Sequence, residues 1–447
     1  MNRHIIFLVL IGTLFGVLTV VFVAFPRSTF SELEKRDLAA FPDYSHEALF
    51  AGDYSRDISA WFSDSEPYRD RFMALHMQIK DGMVLRRSGD DAVTFHAEVP
   101  EAETEEAVAA DGHDGERENR DIADIGQIGA NAPAKVASAG IIVAGEIPEV
   151  RAMMVYKGEA SGGKAWAETA NFYKKTLGSA VQVYCMVIPT PIEYYCPDKV
   201  KSRTYRQLPT IRNIYSLLDD SVRAVDVYTI LGQHAAEPIY FRTDHHWTPL
   251  GAYYAAMKFA EVARVPFATI DRFDAHERPG FVGSMYGYSK DNAVKRSPET
   301  FVYYTPKDTL YSTTYRSFTL DSAFHVKSQS ASYKGDFFMP NSYKGGGSYS
   351  MFMGGDAKVT AVRTSGNTGR RLLIIKDSFG NALPPFLFGS FDEVHVVDHR
   401  YFIDNLETYI RTNGVTDVVL VNNIFNAYSS GVAKAIRSIL TQKPKRL

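Results

Sequence analysis

The chain has 447 residues, enough to bury a sizeable core and more than one small domain needs. Hydrophobic residues make up 45% and aromatic residues 13%, while the formal charge is only -3. That composition is globular, and it excludes a disordered chain and a protein drawn to nucleic acid by bulk charge.

Residues 5–25, IIFLVLIGTLFGVLTVVFVAF, carry no charge. The run is long enough to cross a hydrocarbon core of roughly 30 Å, so it reads as a transmembrane anchor. A cleaved signal peptide is the rival, but the run is longer than a usual signal core and lacks a small-x-small site at its end. Arg3 before it and Arg27 after it leave the charge rule for orientation weak. Either reading carries the rest of the chain across the membrane, to a periplasmic or cell-surface location. Cys185 and Cys196 fit such a compartment: ten residues separate them, so one loop-closing disulfide is an option, and two buried thiols are the other.

Residues 26–95 read as a membrane-proximal helical segment, with Phe72, Leu75 and Ile79 at helical spacing. Residues 96–135 read as a flexible acidic linker. Between 98 and 124 there are eleven acidic residues against Arg117 and Arg120, with no aromatic residue. From 136 to the end an α/β domain is expected. Strands are predicted in GIIVAGEI, in VRAMMVY, at 181–189 and at 223–228, with helices at 164–177 and 208–218. A further helix is signalled by Thr248 as N-cap and Pro249 in the first turn. Residues of about 271–367 break the periodicity and read as an irregular, partly β insertion. Beyond it, strands at 372–375, 393–397 and 417–421 alternate with helices at 380–388 and 403–412, the pattern of a parallel sheet.

Ligands of such sheets bind beyond the carboxyl ends of the strands. There the chain places Lys376-Asp377-Ser378, Asp398-His399-Arg400 and Asn422-Asn423. Ser378 follows a strand and opens a helix, so its hydroxyl is the candidate nucleophile. A serine needs a base, and His246, its tautomer set by Asp244, is the candidate. Asn423, then Asn422, are candidate oxyanion donors beside the N–H groups of Ser378 and Phe379, and Arg400 is a candidate positive group near an oxyanion or carboxylate. Trp247 either packs beneath the loop or forms a sugar-stacking wall. His245 is expected to point away and bond to backbone.

The element TDHHWTPLGA resembles the signature of the DHHW family, and its Asp-x-His-Trp core is similar to that of SGNH-like alginate O-acetyltransferases found outside the bacterial inner membrane. LEKRDLAAFP, YFRTDHHW and KDSFGNALPPFL carry the likeness along the chain. The resemblance implies a three-layer α/β fold of SGNH-hydrolase type around a parallel central sheet, with Asp244 and His246 preceding Ser378 in the chain. It also implies acetyl transfer to a polysaccharide, the acetyl group being supplied by a membrane partner, without metal or organic cofactor. Two departures stand out: Lys376 occupies the place of a glycine before Asp-Ser, and VNNIF only approximates the asparagine block. A non-catalytic scaffold or glycan-binding protein is therefore one rival, and a metal site using Asp244, His245 and His246 with Asp226 and Asp398 is another.

Overall fold

The computed structural model describes residues 36–69, 122–128, 132–137, 140–321 and 325–444, with short pieces between 12 and 31. They fall into two compact units, one that takes in Met1–Asp91 and Lys290–Asn292 and one that takes in Ala92–Ser289, Ala293–Asp321 and His325–Leu447.

Most of the anchor expected at 5–25 lies outside the described residues, as do Phe72, Leu75 and Ile79 and the acidic run up to 121. Among the described residues no helix is long and apolar enough to cross a membrane. The smaller unit contains α1 (His46–Ala51) and α2 (Asp53–Asp64), separated by Gly52 in the left-handed region. Trp61 of α2 meets Phe41 edge to face, and the Ala39 N–H donates to Asp64.

The larger unit begins within the stretch expected to be a flexible linker. Residues 122–128 lie on the fold instead: Ile122 is buried, its carbonyl accepts from Arg212, and Asp124 pairs with Arg206 at 2.7 Å. An apolar anchor and an ion pair hold what composition alone left loose.

The strands β1 (Ala134–Val136), β2 (Ile141–Ala144) and β3 (Arg151–Met154) form a small antiparallel sheet. Then come α3 (Lys164–Leu177), β4 (Gln182–Ile188), α4 (Leu208–Ser216), β5 (Val222–Ala224), α5 (Val227–Gln233) and α6 (Pro249–Ala263). The strand expected over 223–228 ends early because Asp226 accepts the Thr229 N–H and caps α5. Thr248 caps α6 as its sequence predicts, with Pro249 in the first turn.

The middle of the chain supplies β6 (Phe273–Phe281), paired with β7 (Glu299–Pro306), then β8 (Tyr311–Leu320), β9 (Val326–Gln329), β10 (Tyr333–Gly335) and β11 (Lys358–Thr364). The last part holds β12 (Arg371–Lys376), β13 (Glu393–Asp398), α7 (Leu406–Thr412), β14 (Asp417–Asn423), α8 (Ile424–Tyr428) and α9 (Ser430–Thr441).

One nine-stranded sheet runs through the unit in the order β9-β8-β11-β13-β12-β14-β4-β5, with β10 also on β8. From β13 to β5 it is parallel, and from β13 outward it is antiparallel. The expected parallel central sheet is thus five of the nine strands. Part of the expected insertion is sheet: β8 and β11 mix buried with half-buried and exposed residues and extend the same ladder. The helix expected at 380–388 is two 3-10 stretches, Ser378–Ala382 and Pro384–Leu387, because Pro384 and Pro385 cannot donate to a helical ladder. Cys185 and Cys196 are buried and unbridged.

Candidate active site

Ser378 follows β12 after one intervening residue, Asp377, at the carboxyl edge of the parallel half. The opposing loop is pinned into a tight reversal: the Phe241 N–H donates to the His246 carbonyl, the Thr248 N–H to the Ile239 carbonyl, and Tyr240 bridges Trp247. This brings together groups 132 residues apart in the chain. His246 Nε2 lies 2.8 Å from Ser378 Oγ, and His246 Nδ1 lies 2.6 Å from Asp244 Oδ1. The His246 N–H also donates to Asp244 Oδ1 at 3.0 Å, which is how an Asp-x-His spacing folds its carboxylate onto the ring.

The second carboxylate oxygen of Asp244 accepts the Ser284 N–H at 2.9 Å. Gly283 makes that approach possible, since a Cβ there would stand 2.3 Å from Asp244 Cβ. Behind it, Thr243 Oγ1 accepts the Gly283 N–H and donates to Glu299, whose carboxylate also takes the N–H groups of Arg242 and Thr243. Burial alone would raise the Asp244 carboxyl, but the attraction of His246 and His245 and the bonds from His246 and Ser284 hold it well below the usual carboxylate range. Asp244 is therefore poised to stay ionised beneath the imidazole.

Trp247 is fully buried, and its Nε1–H donates to the Phe379 carbonyl at 2.8 Å. It cannot stack on a sugar; it ties the histidine loop to the peptide after Ser378. The Tyr349 hydroxyl donates to the same carbonyl at 3.0 Å, and its ring lies against the His246 ring. His245 does not turn away to backbone: Nδ1 lies 2.6 Å from Ser284 Oγ, and the ring packs on His246 with centroids 3.7 Å apart. Burial and the neighbouring His246 hold its pKa below the ordinary imidazole range.

The expected oxyanion donors are placed differently. Asn423 donates through Nδ2 to Asp377 at 2.8 Å, and its Oδ1 accepts the N–H groups of Phe425 and Asn426, capping α8. The Phe379 N–H donates to Asp377 Oδ1 at 3.0 Å. Asn426 and the Asn423 N–H donate to the other oxygen of Asp377, whose pKa burial still pushes up. Asn422 is fully buried, with neither atom of its amide hydrogen-bonded among the described residues. That leaves the Ser378 N–H, which donates to no described residue, as the expected donor still free.

Arg400 is also taken up elsewhere. It pairs with Asp398 at 2.6 Å and Asp356 at 2.9 Å, while buried Lys376 reaches Asp356 at 2.8 Å and Asp398 at 3.3 Å. Lys376 in place of glycine is thus the hub of a buried ion network, and Gly380 clears its stem: a Cβ at 380 would stand 2.6 Å from Lys376 Cβ. Asp398 and the helix-capping Asp226 are accordingly committed away from a shared metal site. Asp244, His245 and His246 bring ligand-type atoms within 4.8 Å of one another, all of them bonded within the hydrogen-bond chain just described.

Sequence reasoning missed Tyr349, Gly283, Ser284 and Glu299. A carboxylate opening a strand whose other residues are largely aromatic or aliphatic, as Glu299 does in ETFVYYTP, was the available signal for one of them.

Fold and site together define a class: α/β proteins in which an aspartate and a histidine from one loop face a serine at the carboxyl edge of the sheet. The chain belongs to the DHHW family, whose model, described as "DHHW protein", matches residues 116–397. It is similar to a DHHW family protein of Eubacterium siraeum, with 36% identity, over 70% of this chain and 100% of that one, at a TM-score of 0.62. It shares its fold with Bacillus cereus PatB1, solved with a sulfonyl adduct, at 18% identity over 67% of this chain and 97% of that one, TM-score 0.51. A more remote likeness, to the O-acetyltransferase domain of Pseudomonas putida AlgJ, has 12% identity over 69% and 99%, with a TM-score of 0.35. No curated protein matches the chain.

Proposed function

We propose that the chain is an acyltransferase or esterase that acts through Ser378 on a polysaccharide outside the cytoplasmic membrane, anchored by residues 5–25. The observation that carries the reading is the continuous hydrogen-bonded line Ser378–His246–Asp244. His246 Nε2 takes the Ser378 proton as Oγ attacks the carbonyl of an acyl donor. The tetrahedral oxyanion faces the Ser378 N–H; collapse expels the donor's leaving oxygen, which takes the proton from His246. A glycan hydroxyl, or water in the esterase mode, then gives its proton to His246 as its oxygen attacks the acyl-enzyme carbonyl; collapse breaks the ester bond to Ser378, and His246 returns the proton to Oγ. Acetyl is the acyl group that the resemblance implies, and a membrane partner is its source.

One observation favours a second reading, a glycan-binding or scaffold protein on the same fold: Asp377 holds both Asn423 and the Phe379 N–H, two of the expected oxyanion donors. The test separates the two. The protein is incubated with a chromogenic acetyl ester and with a sulfonyl fluoride, and mass spectrometry follows the adduct. Serine chemistry gives turnover and one adduct on Ser378. Ser378→Ala and His246→Ala each lower turnover by a factor on the order of 10³ or more, and the double variant is no worse, because the pair acts as a unit. Turnover unchanged in Ser378→Ala would refute the reading.

A further inference from the structure

A cavity of about 340 Å³ adjoins the reacting pair. Its wall contains Phe379, the residue after Ser378, and His245, the residue before His246. It is thus bordered by the immediate chain neighbours of both reacting residues.

Most of the remaining wall is carbon. Ile141 of β2, Met153 and Met154 of β3, Met285 and Phe425 all face the space. Apart from Tyr288, which is exposed, the polar side chains of the wall are engaged within the protein. Asn423 and Asn426 donate to Asp377. Thr190 receives Gln207 Nε2 at 2.7 Å and sends its own N–H to Gln207 Oε1, and His245 Nδ1 faces Ser284 Oγ. A sugar ring entering here would give up its water for few free partners, at a cost of a kcal/mol or more for each unpaired hydroxyl, whereas an alkyl chain gives up nothing of the kind. Methionines suit such an occupant, since their unbranched thioethers adapt to chains of different length.

The geometry points to an acyl-chain site: the cavity receives the acyl group of the donor ester, and it is built for a chain of several carbons rather than for acetyl alone. A cavity of this size lies within the range that holds whole small ligands, and one methyl group would leave most of it empty. The inference rests on the Ser378 reading and goes beyond it, because it turns the expected acetyl preference into a preference for longer saturated acyl groups. The glycan acceptor is then left to approach Ser378 from outside this cavity.

The full-length protein is assayed with p-nitrophenyl acetate, butyrate and hexanoate, with the rate of Ser378→Ala subtracted. Each methylene moved from water into the cavity is expected to raise kcat/KM roughly threefold, so butyrate exceeds acetate by about tenfold and hexanoate exceeds butyrate again. Met154 is partly exposed, so Met154→Trp can narrow the cavity without threatening the core. It is expected to reduce the hexanoate-to-acetate ratio by about tenfold. Turnover that falls steadily from acetate to hexanoate, or a Met154→Trp variant that lowers all three esters by the same factor, overturns the acyl-chain site while leaving Ser378 chemistry standing. Absence of turnover on every ester, with Ser378 unmodified by the sulfonyl fluoride, overturns both.

Discussion

The ring of Tyr349 lies flat on that of His246, with centroids 3.9 Å apart and planes 6° from parallel. The imidazole is therefore fixed on one face by stacking and along its edge by Asp244, so that Nε2 stays aimed at Ser378. Tyr349→Phe keeps the stack and loses only the bond to the Phe379 carbonyl; turnover should stay within about threefold and stability fall by about 1 kcal/mol. Tyr349→Ala removes the stack, and kcat on an acetyl ester should fall by about tenfold or more with KM little changed, as expected when a base is misplaced by a fraction of an ångström. Steady-state kinetics with a thermal melt of each variant checks both outcomes.

A methyl group at position 283 would collide with Asp244. Gly283→Ala should push the carboxylate off the imidazole, and kcat/KM should drop by about 10²–10⁴, the scale set by loss of the aspartate that orients such a histidine. Ser284→Ala keeps the N–H that Asp244 needs and removes only the hydroxyl beside His245, so its effect should be within about threefold. Equal activities for the two variants would show that Asp244 does not steer His246.

The ion network under β12 makes a prediction about acid. Burial would raise the carboxyls of Asp356 and Asp398, but the Lys376 ammonium and the Arg400 guanidinium outweigh it and hold both below the ordinary range. Their folded pKa is depressed, so the stability they add is complete above the unfolded carboxylate value of about 3.9 and is lost as pH falls toward the folded values. The melting temperature should be nearly level from pH 5 to 8 and drop below about pH 4, and Asp356→Asn should make that drop shallower. Lys376→Met strands buried Asp398 beside Arg400 alone and should cost roughly 3 kcal/mol or more at pH 7. Denaturant melts at several pH values measure both effects.

The residues that face one another were readable because chemistry and position coincided: a serine after LLIIKD and an Asp-x-His before a capped helix. Their supports were not. Tyr349 sits in the glycine-rich run GGGSYSM, where no periodicity marks a buried ring, and the Asp356–Lys376 pair joins the start of β11 to the end of β12, two strands that are not neighbours in the sheet. The sheet was half legible for a similar reason. Parallel strands such as LLII, buried on both faces, show as apolar runs, whereas YSTTYRSFTL of β8 has a half-buried, alternating pattern that does not say which edge it joins. Asn423 was found for its type and assigned the wrong task, because an asparagine at the end of a strand caps a helix as readily as it binds an oxyanion.

Strand β12 lies between β13 and β14, both of which come later in the chain, and β14 is also the strand that joins β12 to β4. Ser378 therefore reaches its working position only when the final strand has slotted in. A chain interrupted between residues 398 and 417 holds the serine, the histidine and the aspartate but lacks the strand that joins β12 to β4. On the proposed function, a part-made chain carries all three side chains without the site they form, and the site is completed only with the fold.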